Sequence, residues 1–321
     1  MLSVQGAAFG RKVKRNSILV TCIGSTIGKM GLAAFDLFTN QQINSIEVNQ
    51  NIDPDYLFFA IQARFPKYMK IAESQAVPII SKSSFESLRV NIANFSEQVV
   101  VGKFLSLIEQ RIELQNKIIE GLESLEKGFI HRLVWGQEYG KAVLGELLSE
   151  RAEKTSEQNQ FVILSSTATG LFTQEEYFNH QVASENNVGY KIVRKGDIIL
   201  SPQNLWLGNI NYNDRFEYGM VSPSYKIFSI KGCHAPFLSL FLKTKRMKYL
   251  YGLCSEQGAS VVRRNLNVEE FLQIAIPMPP MEIQRAVANR ILTIKQKRRN
   301  ESKYRDLLLL QKKYLLENMF I

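Results

Sequence analysis

A chain of 321 residues, 45% hydrophobic and 22% charged, has the make-up of a folded protein with room for about two cores. Its net charge of +10 favours a polyanionic partner, nucleic acid above all. No apolar run reaches the roughly eighteen residues of a membrane helix, and the start lacks the apolar core of a secretory leader. Cys22, Cys233 and Cys254 are too scattered for a disulfide framework or a zinc site, so a cytoplasmic protein with no membrane contact is expected.

In chain order, Asn16–Val20 reads as a short buried strand running into a glycine-rich turn, GSTIGKMG, at Gly24–Gly31. A short helical segment follows at Tyr56–Gln62. Residues 97–131 then form a long proline-free helix, with Ser96 as the expected cap at its start. Phe104, Ile108, Arg111, Gln115, Ile118, Leu122, Leu125 and Phe129 recur at alternating spacings of four and three, the pattern of a coiled-coil seam. Leu107, Leu114 and Ile119 widen the stripe. At about 1.5 Å per residue such a helix spans roughly 50 Å, more than a small core needs, so it asks for a partner helix. Gly136–Gly140 (GQEYG) breaks it off. Phe161–Ser165, Tyr190–Val193, Ile198–Leu200 and Tyr225–Ile230 read as strands, rich in β-branched and aromatic residues. The partner helix is residues 282–319, whose stripe of Val287, Ile291, Ile294, Tyr304, Leu308 and Leu315 is interrupted by charge. Lys295, Lys297, Arg298, Arg299, Lys303, Arg305, Lys312 and Lys313 cluster there against Glu301 and Asp306. That cluster reads equally as a DNA-facing surface or as a solvated or acid-binding helix face.

The chain is a repeat. Gly196–Leu200 (GDIIL) restates Asn16–Val20 about 180 residues on, and Leu207–Ile210 falls where Ile27–Met30 stood. Phe237–Lys243 matches Tyr56–Gln62, Phe271–Ile276 matches Phe85–Val90, and Gln284 matches Gln98 at the head of each long helix. A repeat of this period is a duplicated domain rather than a solenoid unit. The expectation is an α+β fold: two repeated domains with mostly β cores, residues 1–96 and 136–281, separated by two long antiparallel coiled-coil helices, 97–135 and 282–321. The second copy has a lead-in from about Lys141 to Lys195 that the first lacks. Either the first domain is truncated, or another chain supplies the missing strands.

Chemistry is sparse. GSTIGK at Gly24–Lys29 has three residues between its glycines where a Walker loop has four, and Met30 stands where a Ser or Thr would meet magnesium. His131, His180 and His234 are isolated from carboxylates and cysteines at ligand spacing. No GxSxG elbow or nucleophile–base arrangement is present. The chain is expected to be no enzyme and to need no cofactor or metal.

The ordered pattern resembles the specificity subunit of a Type I restriction–modification system. Gly196–Ser201 (GDIILS), Leu205–Gly208 (LWLG) and Val221–Tyr225 (VSPSY) carry the resemblance, with Ile276–Gln284 (IPMPPMEIQ) leading into the last helix. Asn16–Gly31 and Val90–Gln98 are weaker versions of the same signatures, with Ala93 where the family usually has proline. The resemblance covers Asn16 to the C-terminus. It implies two target recognition domains reading the halves of a split site in double-stranded DNA, on helices that set the unread spacer. It implies a non-catalytic subunit that positions two methyltransferase subunits and the restriction/translocase subunits. With an incomplete first domain, a second specificity chain joins the expected partners. The alternative is a partial, silent chain that binds no DNA and acts as a coiled-coil partner or sequence reservoir.

Base reading calls for polar and basic side chains on exposed loops. The expected DNA contacts are Ser25, Thr26 and Lys29 in the first glycine-rich turn and Gln203, Asn204 and Asn209 in its repeat. Gln75, Ser81 and Lys82, and Gln257, Ser260, Arg263 and Arg264, form the second pair of loops. Arg263-Arg264 is the strongest candidate; Leu205, Trp206 and Pro223 read as core or turn residues.

Overall fold

The computed structural model describes residues 10–72, 79–177, 186–257 and 263–320. Two compact units emerge, one of Met1–Glu120 with Arg299–Ile321, the other of Gly121–Arg298.

The first unit contains β1 (Arg11–Val13), β2 (Ile18–Thr21), β3 (Met30–Leu32), β4 (Leu37–Thr39), β5 (Ile43–Ile46), α1 (Pro54–Ala72), α2 (Lys82–Glu86) and most of α3 (Phe95–Ile130). Strand β2 lies between β3 and β5, antiparallel to both, and β1 pairs with β4. Ile18 and Val20 alternate into a core with Leu57, Ile61, Phe65 and Phe85. Helix α1 starts at Pro54, where a missing N–H costs nothing, and Asp53 Oδ1 accepts from Tyr56 N at 2.8 Å. Gly102 lets α1 approach α3: a Cβ there would stand 2.5 Å from Asp53 Oδ1 and 2.7 Å from Tyr56 N.

The second unit runs β6 (Lys141–Val143), α4 (Leu144–Leu147), β7 (Leu148–Arg151), β8 (Leu164–Ser166), β9 (Leu171–Thr173), α5 (Gln174–Tyr177), β10 (Lys191–Arg194), β11 (Ile198–Leu200), β12 (Ile210–Tyr212), β13 (Tyr218–Val221) and β14 (Lys226–Ile230). It continues through α6 (Ala235–Leu242), α7 (Lys245–Leu253), β15 (Ser255–Gln257), β16 (Arg264–Leu266), α8 (Val268–Leu272), β17 (Ala275–Pro277) and the first part of α9 (Met281–Met319). Its main sheet has the order β12-β11-β14-β7, all neighbours antiparallel. Phe228, Phe237, Phe271 and Tyr251 fill the core beneath. Mixed helix and sheet in both units is the expected α+β class.

The repeat holds hydrogen bond for hydrogen bond. Asn16 N donates to Ala33 O at 2.7 Å, and Gly196 N donates to Asn213 O at 2.8 Å. Thr21 N donates to Lys29 O at 2.9 Å, and Ser201 N to Asn209 O at 3.0 Å. Asn16 and Gly196 both turn through positive φ, 63° and 94°, which asparagine and glycine tolerate best. Buried Gln98 accepts from Asp53 N at 2.9 Å and donates to Ala93 O at 2.8 Å; Gln284 does the same with His234 N and Pro279 O, both at 2.8 Å.

The long helices depart from expectation in three details. Helix α3 is capped by Asn94, not Ser96: Asn94 Oδ1 accepts from Glu97 N at 3.0 Å and from Ser96 Oγ at 2.7 Å. Ser96 sits inside the first turn, where its hydroxyl serves the cap instead of being it. The buried seam is Leu105, Ile108, Ile112, Gln115 and Ile119, while Phe104, Leu107, Leu114, Ile118 and Leu125 are 37–59% exposed. The helix carries two overlapping heptad stripes, and the one beginning at Leu105 meets Tyr56, Phe59 and Leu308. On α9, Tyr304 is likewise exposed at 39%. Its seam instead takes in charged residues that reach acids on α3. Within the first unit Lys312 pairs with Glu109, and Gln115 Nε2 donates to Glu301 O at 3.2 Å. Within the second, Lys295 and Arg298 reach Glu126 at 3.5 and 3.4 Å. Rising numbers on α3 meet falling numbers on α9 in each unit, so the pairing is antiparallel, as expected. Helix α3 ends in a π-helical turn, His131–Trp135, closed by Gly136 N on His131 O at 2.8 Å.

Candidate nucleic-acid interface

The β2–β3 hairpin of the first unit raises a tight loop in which Gly28 takes φ of 87°. Ile27 N returns to Gly24 O and Lys29 N to Thr26 O, both at 3.1 Å. With the backbone folded on itself, Ser25, Thr26 and Lys29 are left exposed on one loop. The matching β11–β12 connection is a 3-10 turn, Pro202–Leu207, closed by Gly208 at φ of 90°. Gln203 is exposed there and Asn204 half-buried.

Asn209 is not available to a ligand, which corrects the expectation from the repeat. It is 6% exposed, accepts from Ser166 Oγ at 2.8 Å and donates to Ser166 O at 2.9 Å. Asn211 Nδ2 reaches the same Ser166 Oγ at 2.7 Å. These bonds tie the β8–β9 hairpin of the lead-in to β12. Lys29 occupies the same place in the first repeat and is exposed.

In the second pair of loops, Ser81 caps α2, its hydroxyl accepting from Ser84 N at 3.1 Å. Lys82 is exposed, with Glu86 one turn away at 3.6 Å. Gln257 is exposed on β15. Arg263 is exposed and makes no ion pair with Glu269 or any other described residue. Arg264 is different: its guanidinium lies 4.5 Å over the Trp206 ring, a cation–π contact that holds the side chain in the fold. Gln75 and Ser260 lie outside the described residues, as does His180.

The basic cluster on α9 is divided. Lys295, Arg298 and Lys312 are spent on α3 acids, Arg305 contacts Asp306 at 2.7 Å, and Lys313 faces Glu317 at 3.9 Å. Lys297, Arg299 and Lys303 remain exposed. Sequence reasoning counted the charges but could not see which of them the helix pairing uses.

Lys243 is a charge that no local sequence pattern points to. Its Nζ donates to Ala168 O at 3.2 Å and Gly208 O at 3.1 Å, and burial, with Lys248 and Lys295 nearby, pushes its amine down to about 8. An unfolded lysine keeps its proton up to the ordinary value of 10.5. Between these values the unfolded chain binds more protons than the folded one, so stability from this group rises with pH. Relative to Lys243→Met, the wild type should gain about 3 kcal/mol between pH 7 and the unfolded pKa. Urea unfolding of both proteins at pH 7 and pH 10 measures this; a constant difference would show that the amine is not depressed.

Among the described residues no group of three or more His, Cys, Asp or Glu could hold a metal ion, and no helix is long and apolar enough to cross a membrane. The cysteines are free, and burial pushes the Cys233 thiol up to about 11.

Residues 4–124 and 147–314 match the family model described as Type I restriction modification DNA specificity domain. The Type I restriction enzyme MjaVIII specificity subunit of Methanocaldococcus jannaschii is 20% identical over 319 residues, covering 88% of this chain and 73% of its own. The putative type I restriction enzyme MjaX specificity subunit of the same organism is 23% identical over 127 residues, 39% of this chain and 30% of its own. The fold matches the crystal structure of the Type-I restriction-modification system S subunit from M. genitalium with a TM-score of 0.58, at 18% identity, over 96% of this chain and 84% of that one. A chain from a structure concerned with complex assembly and conformational transition of the type I R-M system gives a TM-score of 0.55, at 13% identity, over 96% and 82%. The two matched stretches are the two repeats, each running on into its long helix, and the chain therefore belongs to the Type I restriction modification DNA specificity domain family.

Proposed function

We propose that the chain is the sequence-reading subunit of a Type I restriction–modification complex. It performs no chemistry itself. It reads a DNA site in two halves, through domains 1–96 and 136–281, and positions methyltransferase and restriction subunits on the spacer helices 97–135 and 282–321. The observation that carries this reading is the duplication: one chain holds two copies of the same hairpin-and-helix scaffold, with polar or basic loops at equivalent places. The exposed apolar stripe of α3, from Phe104 through Leu107 and Leu114, supports a further protein partner on the helices.

The bet on individual contacts is Ser25, Thr26 and Lys29 for one half-site and Gln203, Asn204, Gln257 and Arg263 for the other, with Ser81 and Lys82 at the margin. A base-modification map of DNA from cells expressing the chain with its partner methyltransferase tests this. A split, two-part methylated motif is expected. Arg263→Ala should weaken methylation at one half-site about tenfold, and Lys29→Ala at the other, with the complex still assembled. Maps identical to wild type for both variants would remove these loops from the interface.

A further inference from the structure

In the second unit the turn that carries Gln203 and Asn204 rests on cations. Helix α7 packs against Pro202–Leu207, and Lys248, in its first turn, lies across Gly208: a Cβ there would stand 2.3 Å from Lys248 Cε and 2.8 Å from its Nζ. Lys243 Nζ donates to the carbonyl of the same glycine at 3.1 Å and to Ala168 O at 3.2 Å, which uses two of the three donors of its ammonium. Burial, then the positive charges of Lys248 and Lys295, push that amine down to about 8. Lys295 is answered by Glu126 at 3.5 Å, whereas Lys248 and Lys245 meet no carboxylate or hydrogen-bond acceptor among the described residues. Three residues apart, Lys245 and Lys248 share a face of α7. Arg246 between them is taken up elsewhere, its guanidinium 4.1 Å over the Trp135 ring. No acid stands in this first turn, although the positive end of a helix favours acids over lysines. Charge of one sign is gathered where local energetics oppose it, and an anion seated there relieves the repulsion.

We propose that Lys245 and Lys248, with Lys243 behind them, hold one backbone phosphate of the DNA beside the bases that Gln203 and Asn204 contact. This rests on the DNA-reading role and adds the anchor that the reading loop needs. A lysine is a point charge with rotatable donors, suited to a phosphate whatever base it bears, so the site carries no sequence information. It sets register instead: a phosphate held against the glycine that closes the turn fixes how far the turn reaches into a groove. The first unit keeps the outer pair of cations. Arg64 and Lys67 of α1 stand where Lys245 and Lys248 stand, again three residues apart and without an ion pair to a described residue. Gln62 takes the place of Lys243, and Met69 and Phe65 lie against Gly28 where Lys248 lies against Gly208. The anchor of the first unit is therefore the weaker one.

The test uses the full chain with its partner methyltransferase and a duplex carrying the methylated motif, with affinity measured across a series of salt concentrations. Lys245→Gln with Lys248→Gln should lower affinity about tenfold on target and unrelated DNA alike, and reduce the slope of log affinity against log salt by about 1. The methylated motif should stay the same, and Lys248→Arg should keep the wild-type slope. Replacing single phosphates of that half-site by neutral methylphosphonates should weaken the wild type at one position and cost the double variant nothing further there. An unchanged slope, a loss confined to the target sequence, or the lack of any such position overturns the proposal while the reading role stands. A wild-type chain that binds no DNA overturns both.

Discussion

Leu105→Asp should destabilise the first unit by more than about 4 kcal/mol, while Phe104→Asp, one residue away, should cost under about 1 kcal/mol. Leu105 is fully buried among Tyr56, Phe59, Ile108 and Leu308, so a carboxylate there is cut off from water. Phe104 is 43% exposed on the opposite stripe, where a charge keeps its hydration. Helix propensity does not decide the outcome, because both variants place the same residue in the same turn of α3. Urea unfolding, with amide exchange read at Ile108 and Ile112, reports on the seam directly. Equal losses from the two variants would restore the stripe through Phe104, Arg111 and Ile118 as the buried one.

Gln284→Leu should cost the second unit about 3 kcal/mol, at nearly constant side-chain volume. The substitution leaves His234 N and Pro279 O without their partners inside the fold, and a buried orphan costs about 1–3 kcal/mol each. Gln98→Leu should do the same to the first unit through Asp53 N and Ala93 O. Because each glutamine serves its own unit, exchange at the His234 amide should accelerate only in Gln284→Leu, and at the Asp53 amide only in Gln98→Leu. Loss confined to α9 fraying, with His234 still protected, would show that the latch contributes little.

The features legible in the sequence are those written locally. The repeat could be aligned because a positive-φ turn, a buried strand and a glycine-closed hairpin recur at fixed spacing, and the paired glutamines fell into register with them. The long helices followed from the lack of proline and the heptad spacing. Their seam followed only in part: Ile108, Gln115 and Ile119 of the expected stripe are buried, but Phe104, Leu107, Leu114 and Ile118 recur as regularly as the buried Leu105 and Ile112, and only the facing residues choose between them. Asn209 failed for the same reason at longer range: Ser166, 43 residues earlier, covers it, and no local pattern announces that contact. Arg264 looked like a free loop cation because nothing in its neighbourhood names Trp206 as its platform. The basic run of α9 was correctly seen as unusual, but part of it answers Glu109 and Glu126 across the helix pair rather than an outside anion.

Gln115 gives the helix pair of the first unit a memory of its alignment. Sliding α9 by seven residues preserves the apolar rhythm but can bring Leu308 opposite Gln115 in place of Glu301, so the buried amide loses the Glu301 carboxylate to which its Nε2 donates, and Glu109 no longer faces Lys312. A polar group at a seam position sacrifices some stability to make such out-of-step pairings costlier still. A seven-residue deletion confined to α3 cannot then be absorbed by slippage; it requires a matching deletion in α9, and length changes in this helix pair must come in twos.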